Sequence, residues 1–386
     1  TDIWDDFEIF SLVDYLKFDD RQKILKGKFA RTSFIQNLPF AKSKFRSYLP
    51  LFPLAIEQFD LSKFDVVLSS SHAIAKGALT HSNQLHISYI HTPMRYAWDM
   101  YFDYLRQNEL ERGLKAALAR YFLHKIRLWD IAAANRADVY VANSNFIARR
   151  IRKIYGKDAA VIYPPVDTAN FKLNENKEDF YVTVSRMVTY KKIDLIVRAF
   201  NESGKKLVVV GDGEQMNEIK NIAKSNVEIL GFRGAHETAE LMGRAKAFVF
   251  AAVEDFGIAP VEAQACGTPV ICLGKGGAKE SVMDGVTGVY FSEQSEDSLN
   301  EAVVKFKKIR DFIGLMLFNA IYRFFGIGFV KFFYSFAVSA VYLEKFFSMD
   351  VFFMALKVDL AVILGSILGN LSGYLSCAFN KKYEEF

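Results

Sequence analysis

The sequence predicts an α/β protein made of two doubly wound, Rossmann-like domains with parallel sheets. Short apolar runs rich in Val, Ile and Phe alternate with helix-period patterns, the order expected of parallel strand–helix units. The 386 residues also exceed what one hydrophobic core usually serves.

In the first domain, 1–163, strands are expected near 65–69, 86–90, 138–143 and 159–163, with a helix over 145–155 and a long polar helical pattern through 110–136. From Tyr163 the chain reads YPPVDTANFKLNENKED, a proline-stiffened stretch followed by a polar run, which is the expected linker. The second domain, 164–310, is expected to hold strands at 181–185, 207–211, 227–230, 247–251 and 269–273, and helices over 192–201, 214–224, 237–244 and 260–266. Two such domains on one linker place a cleft at the carboxyl ends of their strands, where open α/β sheets bind ligands. The remaining stretch, 311–386, is aromatic and apolar and is expected to form a helical tail. Within it, 360–379 runs 20 residues without a charge, long enough to span a bilayer core. Gly365, Gly369 and Gly373 there repeat a small-residue spacing that lets membrane helices approach. Its Gly, Ser and Asn residues weaken that hydrophobicity, and a hairpin packed on the body is the alternative.

An apolar share of 51% and a charged share of 24% fit a globular protein and exclude a disordered or collagen-like one. The formal charge of +5 is modest for this length and does not point to nucleic acid. Its distribution says more: Arg21, Lys23, Lys26, Lys28, Arg31, Lys42, Lys44 and Arg46 follow one another with no acidic residue between Arg21 and Arg46, interleaved with Phe29, Phe34, Phe40 and Phe45. Such a stretch either rests on anionic lipid headgroups or is an ordinary solvated basic face. Cys266, Cys272 and Cys377 form no CxxC pair, so neither a zinc site nor a disulfide framework is indicated, and a reducing cytosol is the natural compartment. The opening TDIWDDFEIF has no basic n-region and no apolar h-region, so no signal peptide is expected there.

The densest chemical signal is EDFGIAPVEAQACGTPV, beginning at Glu254. A strand ends at Ala251, a loop carries Glu254 and Gly257, Pro260 suits a first helical turn, and Gly267 suits the residue just past the helix end. Gly257 permits close approach of backbone N–H groups to an anion at the helix start. Glu254 in the loop and Glu262 on the helix can each accept two hydrogen bonds from vicinal hydroxyls, which suits a hydroxyl-rich ligand. GDGEQM, from Gly211, follows a strand and opens a helix, so Gly211 and Gly213 allow its backbone to lie against a nucleotide. The third Gly of a dinucleotide fingerprint is missing, which weakens an NAD reading.

The Glu-x7-Glu arrangement resembles that of family-4 retaining glycosyltransferases, which have the two-domain GT-B fold. The resemblance implies that Glu254 contacts the donor sugar and Glu262 the nucleotide ribose. SRMVTYKKIDLIVRAF, from Ser185, resembles the same family's Arg and Lys segment and implies Arg186 and Lys191 as diphosphate ligands, with Lys192 as the alternative lysine. Two fixed cations beside a departing diphosphate can stabilise the charge that grows there, as a metal does elsewhere. No metal motif and no cofactor is therefore expected. ILGFRG, from Ile229, resembles the segment that meets the base, which brings in Phe232, while Phe256 and Ile258 flank Gly257 in the donor loop.

SSSHAIAKG, YIHTPMRYAWD, ANSNFIARRIRKIYG and VIYPPVD resemble a branch of that family, the mannosyltransferases of O-antigen-type polysaccharide assembly. The branch implies His91 beside the donor sugar. Arg95, Tyr96 and Trp98 are either acceptor-side residues or core, and Asn143 and Ser144 close another strand. Family members open with a strand and a Gly-rich loop that no segment before Thr1 supplies, so the first domain is expected to lack both. The tail after Ser335 has no counterpart in the family. The activity so implied is retaining transfer of a sugar, mannose from GDP-mannose, to a lipid-linked or oligosaccharide acceptor at the inner face of the cell membrane, with no nucleic-acid partner. A non-catalytic, membrane-associated nucleotide-sugar-binding partner and a nucleotide-sugar epimerase of the same fold are the alternatives.

Overall fold

The computed structural model describes residues 6–306. The expected tail 311–386, its apolar stretch 360–379 and Cys377 lie outside the described residues, among which no helix is long and apolar enough to cross a membrane. The chain forms two compact units. One holds Thr1–Tyr163 together with Val253–Gly257 and Gly274–Ser281. The other holds Pro164–Ala252, Ile258–Leu273 and the described residues from Val282 to Phe306.

The first unit runs β1 (Ile9–Ser11), α1 (Phe18–Leu25), β2 (Ala30–Thr32), α2 (Ala41–Lys44), α3 (Phe52–Glu57), β3 (Val66–Ser71), β4 (Leu85–Ile90), α4 (Tyr101–Gln107), α5 (Leu114–Ala133), β5 (Val139–Ala142), α6 (Asn145–Tyr155) and β6 (Ala160–Val161). Strands β3, β4, β5 and β6 form a parallel sheet in that order, with Val66 opposite Leu85 and Ile87 opposite Val139. A separate parallel pair, β1 with β2, was not expected from the sequence. The basic stretch is only partly a surface. Arg21 is buried, with its guanidinium 2.7 Å from Asp14 Oδ2, and Phe34 and Phe45 pack on the core built around Ile35, Phe52 and Met94, while Phe29 and Phe40 are exposed.

The second unit follows with β7 (Tyr181–Val184), α7 (Ile193–Ser203), β8 (Leu207–Val210), α8 (Met216–Ile222), β9 (Val227–Gly231), α9 (Ala235–Arg244), β10 (Ala247–Phe250), α10 (Ile258–Ala265) and β11 (Val270–Leu273). After α11 (Ala278–Ser281), which groups with the first unit, come β12 (Gly288–Phe291) and α12 (Glu296–Phe306). Its six strands are all parallel in the order β12-β11-β10-β7-β8-β9. Numbered from β7, that is the doubly wound order 3-2-1-4-5-6, whose switch point lies between β7 and β10. Strands β8, β10 and β11 are buried at every position, as central parallel strands with helices on both faces must be. The parallel α/β expectation holds; β12 and α12, which extend the second unit's sheet and core, were not foreseen.

Candidate active site

In the second unit the site is built on the switch point. Beyond β7, Arg186 is exposed between half-buried Ser185 and fully buried Met187, and among the described residues it makes no ion pair. Its backbone is fixed from the far side by GDGEQM. Met187 N–H donates to Asp212 O at 2.8 Å, and Gln215 N–H donates to Met187 O at 3.1 Å. Gly211 and Gly213 lie so close that a Cβ would stand 1.9 Å from Ser185 O and 2.4 Å from Met187 O respectively. The two glycines are thus required to seat the Arg186 segment, a role the sequence reading, which aimed them at a nucleotide, did not give them. Lys191 ends a short turn, with its ammonium 5.9 Å from the ring centroid of Phe250, the last residue of β10. Lys192 instead forms the left-handed corner that starts α7.

Helix α10 buries Pro260, Val261, Ala263, Gln264 and Ala265, leaving Glu262 as the half-buried carboxylate on its second turn. Burial raises the Glu262 carboxyl above the usual glutamate value. Lys177 ties the ends of α9 and α10 together, its ammonium donating to Gly243 O at 2.6 Å, Thr268 Oγ1 at 2.7 Å and Cys266 O at 3.2 Å. Ile258, at the first position of α10, and Phe232, just past β9, are exposed.

In the first unit the loop Val253–Gly257 is held by arginines. Arg95 Nη2 stands 2.6 Å from Asp255 Oδ2 and 3.9 Å from Glu254 Oε2. Arg150 donates to Thr92 Oγ1 at 2.6 Å and Asp255 Oδ1 at 3.2 Å, and pairs with Asp99. Burial pushes the Asp255 carboxyl up against the pull of both guanidiniums. The loop backbone is tied as well. Ser144 Oγ donates to Asp255 O at 2.5 Å, and Gly277 N–H donates to Glu254 O at 2.8 Å, so close that a Cβ on Gly277 would meet Asp255 O at 2.2 Å. Gly257 is left-handed, at φ +90°. The Phe256 ring is buried and packs 5.5 Å from that of Tyr163, so what Phe256 offers a ligand is its backbone.

His91 stands just past β4, as its place in the sequence implies. Its Nε2 is 2.8 Å from Ser70 Oγ, its N–H donates to Ser71 O, and burial and the nearby His72 lower its pKa, so the ring is neutral near pH 7. Tyr96 and Trp98 are half-buried and pack against the core around Ile35, Phe52 and Met94. The Tyr96 hydroxyl is 3.5 Å from Met94 Sδ, and Trp98 Nε1 donates to Asp130 Oδ2 at 2.8 Å. Asp130 is fully buried with Lys76 as its ion-pair partner, and Tyr155 also donates to it. Arg95 is a partner of the acidic loop.

The sequence reading missed Asp255, Arg150 and Glu280. Glu280 accepts 2.7 Å hydrogen bonds from the backbone N–H groups of Asn145 and Phe146, while Ser144 Oγ accepts from Ile147 N–H, so the first three free donors of α6 are all satisfied. The signals were present as the Asp beside Glu254, the second Arg of ANSNFIARR, and GKGGAKE from Gly274.

Known proteins match both halves. Residues 16–170 match the family model described as Glycosyltransferase Family 4, and residues 166–312 that described as Glycosyl transferases group 1. The GDP-mannose-dependent alpha-(1-6)-phosphatidylinositol monomannoside mannosyltransferase of Mycolicibacterium smegmatis is 30% identical over 201 residues, 44% of this chain and 53% of the relative. An uncharacterised glycosyltransferase of Methanocaldococcus jannaschii is 28% identical over 178 residues, 45% and 50% of the two chains. The chain spans about half the length of these curated relatives. Among solved structures, sucrose-phosphate synthase from Thermosynechococcus elongatus superposes with a TM-score of 0.59 at 16% identity, covering 79% of this chain and 81% of that one. Anabaena HepE in complex with UDP and glucose does so with a TM-score of 0.52 at 18% identity, covering 78% and 86%. One half of the chain is thus similar to the Glycosyltransferase Family 4 model and the other to the Glycosyl transferases group 1 model, and the chain has the α/β, parallel-sheet fold of these solved structures.

Proposed function

We propose that this chain is a retaining, metal-independent glycosyltransferase that moves mannose from GDP-mannose to a lipid-linked or oligosaccharide acceptor. The setting of that reaction is cell-surface polysaccharide synthesis at the inner face of the cell membrane. The observation that carries the reading is the pair of cations at the switch point of the second unit: Arg186, exposed and in no ion pair among the described residues, and Lys191 beside the end of β10. Ligands of doubly wound sheets bind at that point, and a diphosphate leaving group needs fixed positive charge there. In this reading Arg186 and Lys191 hold the diphosphate, and Glu262 accepts hydrogen bonds from the ribose hydroxyls. Glu254 takes sugar hydroxyls, and neutral His91 hydrogen-bonds the sugar without adding charge. The bond from the anomeric carbon to the phosphate oxygen breaks as the bond to the acceptor oxygen forms on the same face. The departing phosphate oxygen takes the acceptor proton, so no enzyme nucleophile is required. Mannose and its guanine nucleotide are supported by the Mycolicibacterium relative, whose name specifies GDP-mannose.

A turnover and thermal-shift panel of GDP-, UDP-, ADP- and dTDP-sugars with a lipid-diphosphate sugar acceptor tests this, since ligand binding raises the melting point by mass action. GDP-mannose is expected to give both the largest shift and transfer with retention. Donor binding without turnover would replace the transferase by a non-catalytic nucleotide-sugar-binding partner, and an isomerised donor without acceptor would make it an epimerase.

A further inference from the structure

Helix α5 turns an apolar face to solvent where a surface helix normally carries charge. Its inward side is Ala116, Leu123, Ile126, Asp130 and Ala133. On the opposite side Leu114, Leu118, Tyr121 and Leu128 follow one another at helical spacing and are 87%, 55%, 54% and 53% exposed. A helix apolar on both sides is built for two partners, and only one of them is the core. The charges identify the chemistry of the other. Between Glu111 and Asp130 the chain carries Arg112, Lys115, Arg120, Lys125 and Arg127 and no carboxylate, and Lys115, Arg120 and Lys125 are exposed. Lys125 lies within the stripe, its ammonium 5.6 Å from the centroid of the Tyr121 ring, so that its stem covers apolar surface while its charge stays outermost.

We propose that this face of α5 docks on an anionic phospholipid bilayer. Leu114, Leu118, Tyr121 and Leu128 enter the headgroup boundary, and Lys115, Arg120 and Lys125 meet lipid phosphates. A second copy paired through the same face would oppose these cations to one another with no carboxylate on the stripe to offset them. The segment 307–386 of the same chain fits no better, because it carries more Lys and Arg than Asp and Glu. The docking stands apart from the transfer chemistry and is measured without a sugar donor.

The test is flotation of the full chain with vesicles of phosphatidylglycerol and phosphatidylcholine, against phosphatidylcholine alone. Binding to the mixed vesicles is expected, weakened by added salt. It is expected to fall about tenfold or more in the Leu118→Ser, Leu128→Ser double variant, with an unchanged melting temperature because both side chains are exposed. Absence of binding to anionic vesicles, or equal binding by the variant, overturns the proposal. So does a dimer that the double variant dissociates, or a disulfide cross-link between a cysteine introduced by Tyr121→Cys and Cys377 in the lipid-free chain.

Discussion

Two sets of arginines in this molecule have opposite surroundings. Arg186 is exposed and has no ion pair among the described residues, on a backbone seated by Gly211 and Gly213. Arg95 and Arg150 are mostly shielded and share Asp255, with Asp99 and Thr92 completing the Arg150 fork. A cation without an internal counter-charge is available to a ligand anion, whereas one already neutralised positions whatever it holds. The largest effect expected from this difference is on Arg186→Ala. It should lower kcat/KM for the proposed transfer by about 100-fold or more, while leaving stability within about 0.5 kcal/mol. Retention of normal turnover by a folded Arg186→Ala enzyme would remove the diphosphate role.

Asp255→Asn should reverse the order of those two effects. Removing this carboxylate leaves Arg95 to Glu254, 3.9 Å away, and Arg150 to Asp99, at a cost of about 1–3 kcal/mol, read as a lower urea midpoint before any donor is added. Arg150→Lys should give a smaller loss in the same direction, because an ammonium cannot fork to Thr92, Asp255 and Asp99 together. An Asp255→Asn protein as stable as the parent would mean that the arginine cluster is decoration on the loop rather than its support.

Glu280→Gln probes the cap of α6 and should cost about 0.5–2 kcal/mol. One amide oxygen can serve only part of the set formed by Asn145 N–H, Phe146 N–H and the Tyr163 hydroxyl, and its NH2 group faces donors. Guanidinium unfolding of variant and parent would measure it, and equal midpoints would show that Ser144 alone suffices as the cap of α6.

The second unit was the more legible of the two because its strands are buried on both faces. LVVV at Leu207 and AFVF at Ala247 are continuous apolar runs that no exposed element would carry. Their spatial order is set by which strand pairs with which, and short local patterns do not encode that, so the switch point beside Arg186 emerges only in the fold. Short strands were missed where the run is interrupted or brief, as at Ile9–Ser11 and Gly288–Phe291. In the first unit, α5 was read as polar because Arg120, His124, Lys125 and Arg127 dominate its letters. Leu114, Leu118 and Leu128 point outward while Leu123 points inward, and a pattern of residue types does not say which of two apolar faces meets the core. Glu254 and Glu262 are singled out by their spacing in the sequence. Asp255 was not, because its partners Arg95 and Arg150 are more than 100 residues away in the chain.

A third arginine, Arg21, bears on the basic stretch from Arg21 to Arg46. Its guanidinium reaches Asp14 through both nitrogens, at 2.7 and 2.8 Å, and holds the Asp14 carboxyl well below its ordinary value, at about 2. A carboxylate whose folded pKa is depressed contributes stability above its unfolded pKa of about 3.9 and loses it as pH falls through the folded value. The urea midpoint of the parent should therefore exceed that of Asp14→Asn at neutral pH, and the gap should close between about pH 4 and about pH 2. A gap that persists unchanged at the acid end would mean that hydrogen bonds to Ala30 and Leu16, rather than charge, make the Asp14 contribution. Either way Arg21 stays buried, donating also to Lys28 O and Leu16 O, so a lipid-facing role for this stretch would fall to exposed residues such as Lys23, Lys42 and Lys44.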